Sequence, residues 1–256
     1  MDIEKKDLYN ISDFTLDNYR RIVELAKERY TFIGYNEIKN KQSQVCLWRH
    51  DVDHSVEQAL KLATIENQLG VSATYFIQLS SDYYNVFDPR VNKIIREIID
   101  KNHKIGLHFH SAVYSIKNES ELISKLSFER DTLEKLLDID INVFSFHNPT
   151  TELAGQPIAS VFNEFEYAGM TNTYAEEIKE KYVYCSDSNG YWRHKRLEDF
   201  LKERQPRIQV LTHPVWWQDI PMAPRKRIEK QVNDSALLIL NSYDKVLEEF
   251  GRENIR

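Results

Sequence analysis

Cysteine is scarce in this sequence, and long apolar runs are absent. The two cysteines, Cys46 and Cys185, form no CxxC pair, and each lies in an apolar run that is typical of a strand. We therefore expect two buried free thiols. No apolar run approaches the about 18 residues that a membrane span needs, and residues 1–10 lack the apolar stretch of a signal peptide. We expect a cytoplasmic protein with no membrane span.

Positive charge is also in short supply. The chain has 34 Lys and Arg residues against 40 Asp and Glu residues, a net charge of -6, and no basic run. Because a nucleic-acid-binding surface needs a basic patch, we expect no nucleic-acid partner. Apolar residues make up 41% and charged residues 29% of the 256 residues. This composition can form the core of one large soluble domain.

Only 7 glycines occur, and they form no glycine-rich phosphate loop of the kind that supports a doubly wound nucleotide-binding sheet. Apolar runs typical of strands instead alternate with helical patterns, which predicts βα units around a parallel sheet. Six or seven such units favour a (β/α) barrel, complete or distorted, over an open sheet. Residues 150–166 look irregular, and 167–174 and 181–186 are further strand candidates.

The strongest motif lies in residues 46–55, where an apolar run ends in two aspartates flanked by histidines. On an extended strand, Asp51 and Asp53 face the same side, and the same alternation turns His50 and His54 to the other side. Two close carboxylates repel each other unless a cation or other donors keep both ionised. We therefore expect a metal ion beside this pair.

Polar residues follow other strand candidates as well. His108 and His110 are separated by one residue and face the same way, and such a pair of imidazoles suits Zn²⁺ or another first-row divalent ion. The alternative is that one is a ligand and the other only lines the pocket. In an α/β barrel the carboxyl ends of the strands meet at one face. We therefore expect these histidines to lie near His147, Asp187 and His213.

Three motifs, taken together in this order, resemble the polysaccharide deacetylase (NodB-homology) family. They are His50-Asp51-Val52-Asp53, Ile105-Gly106-Leu107-His108-Phe109-His110 and Leu211-Thr212-His213-Pro214. The first is similar to the branch with an Asp-x-Asp motif instead of adjacent aspartates. The resemblance runs from about residue 44 to 217. It implies an α/β fold, a distorted (β/α) barrel with seven strands, in a single domain over 44–256. Residues 1–43 would form an N-terminal helical segment packed on the barrel.

The resemblance also implies a role for each matching residue. Asp51 would be the general base, while Asp53 and His108 would bind the metal. His213 would be the general acid, and Asp187 would be the acidic residue that orients it.

Two departures from the family pattern concern the metal site. The family's second motif usually has two histidines four residues apart, but Ala112 stands four residues after His108. His110 is the nearest substitute as a third ligand, with His147 in reserve. The family's usual Arg-x-Pro third motif is absent, and a His-Asn-Pro sequence that begins at His147 stands in its region.

The function implied by the resemblance is a metal-dependent carbohydrate deacetylase, a hydrolase of C–N bonds other than peptide bonds, with Zn²⁺ as the expected cofactor. The substrate would be an N-acetylated sugar or glycan precursor, and surface-polysaccharide biosynthesis is an expected setting. Candidate substrate-binding residues are His147, Tyr83, Trp192, Arg193 and Trp216. Two alternatives stay open, a metal-dependent amidohydrolase on a non-sugar amide and a catalytically inactive glycan-binding protein of the same fold. The oligomeric state is also open.

Overall fold

Strands and helices alternate along the chain in the computed structural model, which describes residues 9–39, 43–192 and 195–256. The strands are β1 (Thr31–Phe32), β2 (Val45–Val52), β3 (Thr74–Ile77), β4 (Lys104–Phe109), β5 (Val143–Phe146), β6 (Glu152–Leu153), β7 (Gln156–Pro157), β8 (Glu166–Tyr167), β9 (Met170–Asn172), β10 (Val183–Ser186) and β11 (Arg207–Thr212). The helices are α1 (Leu16–Lys27), α2 (Val56–Gln68), α3 (Pro89–Asp100), α4 (Glu119–Leu137), α5 (Ile158–Val161), α6 (Glu176–Lys181), α7 (Leu197–Lys202) and α8 (Pro224–Glu249).

One curled sheet holds most of the strands. Its order is β10-β11-β2-β3-β4-β5-β9-β8, and β1 pairs with the first residues of β2. The seven strands from β10 to β9 are parallel to their neighbours, while β8 runs antiparallel to β9. Within the described residues, no strand pairing joins β10 to β8. The expected distorted (β/α) barrel in a single domain is therefore confirmed.

The central strands are rich in apolar residues because both faces of the sheet are covered. Every residue of β2, β3 and β5 is buried, as is usual for a parallel sheet with helices on its outer face. Cys46 and Cys185 are both buried free cysteines, as expected. No helix in the described part of the chain is both long enough and apolar enough to cross a bilayer.

The outer face of β2 carries a buried polar network. Nε2 of His50 lies 2.7 Å from Oε1 of Glu66 on α2, and Nδ1 of His50 lies 2.6 Å from Oγ1 of Thr212 on β11. The hydroxyl of Tyr75 donates to the other oxygen of Glu66 at 2.6 Å. These bonds join α2 and β11 to β2, so the carboxyl ends of β2 and β11 are held side by side.

Two segments differ from the sequence expectation. Residues 167–174, predicted as one strand, contain a tight turn between β8 and β9 at Ala168 and Gly169, whose φ angles are +53° and +74°. A glycine suits this left-handed backbone, and the turn reverses the chain. Residues 150–166, predicted as irregular, contain the β6–β7 hairpin and the single-turn helix α5.

A buried carboxyl group on α4 makes stability depend on pH. Glu129 is 1% exposed, and its Oε1 accepts a hydrogen bond of 2.7 Å from the hydroxyl of Tyr114. Burial raises the pKa of Glu129 from 4.5 to about 7, although the Tyr114 hydrogen bond opposes that rise. The folded state therefore binds more protons than the unfolded state between these two pH values.

We expect the free energy of unfolding to fall as pH rises from 4.5 through about 7, by about 3 kcal/mol in total. Glu129→Gln keeps the acceptor for Tyr114 and removes the titrating group, so the variant should lack this decrease. Urea unfolding of both proteins across the pH range measures the difference. Equal pH dependence in the two proteins would show that Glu129 does not titrate in the folded state.

Candidate metal centre and catalytic groups

The carboxyl ends of four parallel strands place the candidate residues together. Asp51 lies at the end of β2, and Asp53 follows that strand directly. His108 lies on β4, His147 follows β5, and His213 follows β11. Since β11, β2, β3, β4 and β5 are consecutive in the sheet, these side chains point into one cleft.

Three of these side chains form a compact group of metal-ligand type, namely Asp53, His108 and His147. Oδ1 of Asp53 lies 2.9 Å from Nε2 of His108 and 3.4 Å from Nδ1 of His147, and the two imidazole nitrogens are 3.3 Å apart. Three donors that share one tetrahedral ion at bonds of about 2.0–2.1 Å are separated by about 3.3 Å. The observed separations therefore match those of a divalent-ion site.

The chemistry of this donor set also fits a divalent metal. Two imidazoles and one carboxylate suit zinc and other first-row ions, and three protein ligands leave a position for water or substrate. Burial raises the pKa of Asp53, but the adjacent imidazoles of His108 and His147 hold it well below its usual range. The carboxylate is thus ionised, and its Oδ1 is buried without a well-formed hydrogen bond to any described residue.

His110 lies outside this group. Its Nδ1 is 3.2 Å from Nε2 of Gln78, and its ring packs edge-on against His147 with the ring centroids 4.6 Å apart. β4 ends at Phe109, and His110 begins the turn that follows, so the strand alternation no longer directs its side chain. The structure places His147, rather than His110, beside Asp53 and His108.

Asp51 is held by a buried cation on its own strand. Nη2 of Arg49 donates to Oδ2 of Asp51 at 2.8 Å and to Oγ of Ser145 at 2.6 Å. Burial raises the pKa of Asp51, but Arg49 in the first place, with His108 and His213, lowers it below the ordinary value. Oδ1 of Asp51 has no hydrogen-bond partner among the described residues, so it is free to accept a proton.

His213 is paired with a buried carboxylate. Its Nδ1 lies 2.6 Å from Oδ1 of Asp187, and its backbone N–H donates to both oxygens of Asp187 at 3.0 and 3.1 Å. Burial lowers the pKa of His213, but the nearby carboxylates, Asp187 first and then Asp53 and Asp51, together raise it to about 9. Nε2 is the nitrogen turned to the metal group, 3.8 Å from Oδ2 of Asp53. Asp187 therefore favours the protonated imidazole and fixes its orientation.

A tight turn brings Asp187 to this position. Gly190 closes the turn with φ +76°, and a Cβ there would lie 2.9 Å from the ring of Trp216. The carbonyl of Gly190 accepts a hydrogen bond of 2.9 Å from Nη1 of the buried Arg227. Only glycine can adopt this positive φ angle and leave room for the Trp216 ring, so residue 190 fixes the turn after Asp187.

The cleft above these groups has a volume of about 630 Å³ and carries an aromatic wall. Trp216 lines it, and the His54 ring packs between Trp216 and Tyr83, with ring-centroid distances of 5.7 and 4.5 Å. Tyr83 is 37% exposed. The cleft is large enough for a small ligand, and Trp216 and His54 form an aromatic side of it.

Two of the expected substrate-binding residues are not part of this wall. The Trp192 indole is buried away from the cleft, where its N–H donates to Asp13 at 3.0 Å and its ring stacks on Phe14. The Trp192 ring is buried against residues 11–16. The sequence around Trp192 did not indicate this long-range contact. Arg193 lies outside the residues that the structure describes.

Sequence reasoning missed Arg49 and misplaced His54. Arg49 shares a strand face with Asp51 and Asp53 at a spacing of two residues, and this alternation was the available signal. His54 was expected on the side opposite to the aspartates. β2 ends at Val52, so the alternation stops before His54, whose ring lies against the cleft.

Comparisons with known proteins find similarity among solved structures only. No family model matches the chain, and no curated protein matches it either. An esterase of the CE4 family from Streptococcus mutans matches with a TM-score of 0.49 and 17% identity over 88% of this chain and 91% of its own. A chitin deacetylase from Colletotrichum lindemuthianum matches with a TM-score of 0.44 and 13% identity over 76% of this chain and 84% of its own.

A CE4 family pseudoenzyme from Bacillus anthracis matches with a TM-score of 0.42 and 16% identity over 78% of this chain. The chain spans only 62% of the length of that protein. These neighbours are of the CE4, polysaccharide-deacetylase type. The sequence motifs resemble the same family. All three TM-scores are below 0.5.

Proposed function

We propose that this protein is a metal-dependent hydrolase that removes the acetyl group from an N-acetylated sugar or glycan precursor. The convergence of Asp53, His108 and His147, with Asp51 and His213 beside them, carries the proposal. Amide hydrolysis needs an activated water, a polarised acyl group and a proton donor for the leaving nitrogen. The cleft offers residues for each requirement.

Asp53, His108 and His147 would hold the divalent ion, and Zn²⁺ suits their donor atoms best. When bound there, the ion supplies a Lewis acid for the acyl oxygen and lowers the pKa of water. The residues around it supply the proton transfers.

Asp51 is the general base in this proposal. Arg49 and Ser145 occupy the Oδ2 side of its carboxylate, which leaves Oδ1 to take the proton from the attacking water. The lowered pKa keeps the group ionised and therefore able to accept that proton.

His213 is the general acid in this proposal. With Nδ1 bonded to Asp187, its Nε2 is left to donate a proton to the leaving amine. A raised pKa keeps the imidazole protonated before the C–N bond breaks. Base and acid then both lie beside the metal group, Asp51 near His108 and His213 near Asp53.

The aromatic wall favours a sugar over a non-sugar amide. Trp216 and His54 offer flat surfaces that can pack on the apolar face of a pyranose ring. Tyr83 at the cleft edge extends the same wall. A linear aliphatic amide would leave this surface uncovered.

Acetate release from three substrates tests the proposal, namely N-acetylglucosamine oligomers, O-acetylated xylan and an N-acetyl-lysine peptide. We expect zinc-loaded protein to act on the N-acetyl sugar and chelated protein to be inactive until zinc is returned. His213→Ala should keep the zinc but lose about 10²- to 10⁴-fold in turnover, because only the proton donor is removed.

The results distinguish the proposed deacetylase from its two alternatives. Hydrolysis of the peptide but not of the sugar would favour the non-sugar amidohydrolase. Sugar binding without metal or turnover would favour the inactive glycan-binding protein. Full activity after complete metal removal would refute the metal-dependent scheme.

A further inference from the structure

The C-terminal helix α8 leaves most of its length without a covering partner. Its first turns are anchored, since the buried guanidinium of Arg227 donates to the carbonyls of Gly190 and Ile11. Arg227 is the buried residue of α8. Beyond it, large apolar side chains are exposed, and nothing in the described ranges 9–39, 43–192 and 195–256 packs over them.

These apolar side chains follow a heptad pattern. The exposed stripe, called here the α8 stripe, consists of Val232, Ala236, Ile239, Tyr243, Val246 and Phe250. The steps between them alternate between four and three residues, which is the spacing of the a and d positions in a coiled coil. Its five large side chains are 44% to 68% exposed. Apolar patches of this kind mark interaction sites on soluble proteins.

We propose that the α8 stripe binds the α8 stripe of a second copy of this chain, in an antiparallel helix pair with a two-fold axis at residue 241. The proposal is independent of the proposed hydrolysis. A heptad-spaced seam is complementary to another helix with the same spacing, and a two-fold axis gives both copies the same contacts.

The stripe is self-complementary in this orientation. An axis at residue 241 places Val232 opposite Phe250 of the second copy and Ile239 opposite Tyr243 of the second copy. Ala236 then faces Val246 of the second copy, so small and large side chains oppose each other along the seam.

The residues that flank the stripe do not oppose pairing. Leu240 lies on one flank, where it is next to Leu240 of the second copy, and this pair extends the apolar contact. On the other flank, Ser235 lies next to Glu249 of the second copy, and Ser242 lies next to Ser242 of the second copy. No like charges face each other at these flanking positions.

The helix dipoles favour the antiparallel orientation, because it places the amino end of each α8 beside the carboxyl end of the second copy. Basic side chains lie near the start of α8, at Arg225, Lys226 and Lys230, and each pairs with an acidic side chain of the same helix, Glu229 or Asp234. A lipid surface is a poorer occupant, because an anionic membrane needs basic residues along the helix.

The mass of the protein in solution tests the proposal. We expect sedimentation to show a dimer for the natural chain and a monomer for the double variant Ile239→Glu, Val246→Glu, with the dissociation constant raised at least about 100-fold because charges enter an apolar seam. Both positions are exposed in the single chain, so folding should be unchanged by circular dichroism. The matched control is Leu237→Glu, since Leu237 is 58% exposed on α8 but lies off the stripe.

Cysteine cross-linking tests the orientation. Val232→Cys with Phe250→Cys should form a disulfide between copies, while Val232→Cys alone should not, because the two copies of residue 232 lie at opposite ends of the pair. A monomeric natural chain, dissociation by Leu237→Glu, or cross-linking of Val232→Cys alone would overturn the proposal. Binding of the monomer to vesicles of an anionic phospholipid through this stripe would overturn it as well.

Discussion

His147→Ala should release the bound divalent ion and abolish acetate release, whereas His110→Ala should retain the ion. The reason is geometric, because Nδ1 of His147 lies 3.4 Å from Oδ1 of Asp53 and 3.3 Å from Nε2 of His108. His110 instead contacts Gln78. Loss of a direct ligand should weaken metal binding by more than the about 10- to 100-fold that loss of an outer hydrogen-bond partner causes.

Metal content and turnover measured on the same zinc-loaded samples check this expectation. His110→Ala is a close control, since it removes an imidazole that packs against His147 and leaves the three-residue group intact. The opposite result, with zinc lost from His110→Ala and kept by His147→Ala, would show that His110 is the third ligand, as the sequence analysis expected.

Arg49→Met should destabilise the folded protein by about 3–5 kcal/mol, because it leaves the carboxylate of Asp51 buried without its cation. The Arg49 guanidinium is fully buried between the rings of Phe76 and Tyr174, and it bonds Asp51 at 2.8 Å. The variant should also lose turnover, since the pKa of Asp51 would rise once the guanidinium is gone.

Urea unfolding of Arg49→Met, Asp51→Asn and the double variant measures the interaction between the two groups. The double variant should be more stable than Arg49→Met, because no charge is then left unpaired. Arg21→Met is the matched control, since the Arg21–Glu198 ion pair is exposed and should be worth less than about 1 kcal/mol. Strictly additive changes in the cycle would show that Arg49 does not stabilise Asp51.

The sequence predicted the alternation of strands and helices that forms a barrel, because apolar periodicity and turn residues are local signals. The distorted form of the barrel was implied by the family resemblance of the motifs. It also predicted which side chains stand at strand ends, among them Asp51, Asp53, His108 and His213. What it misread locally was the tight turn at Ala168 and Gly169, where two successive residues in the left-handed region reverse the chain.

The sequence by itself determined the set of chemical groups at one end of the barrel. Tertiary structure alone decided which of them meet, namely that His147 stands beside Asp53 and that Arg49 reaches both Asp51 and Ser145 on a separate strand. The physical reason is that periodicity states only which side of its own strand a residue occupies. Distances between side chains on different strands depend on strand order, register and the path of the chain after each strand ends, and these are set by packing between residues far apart in sequence.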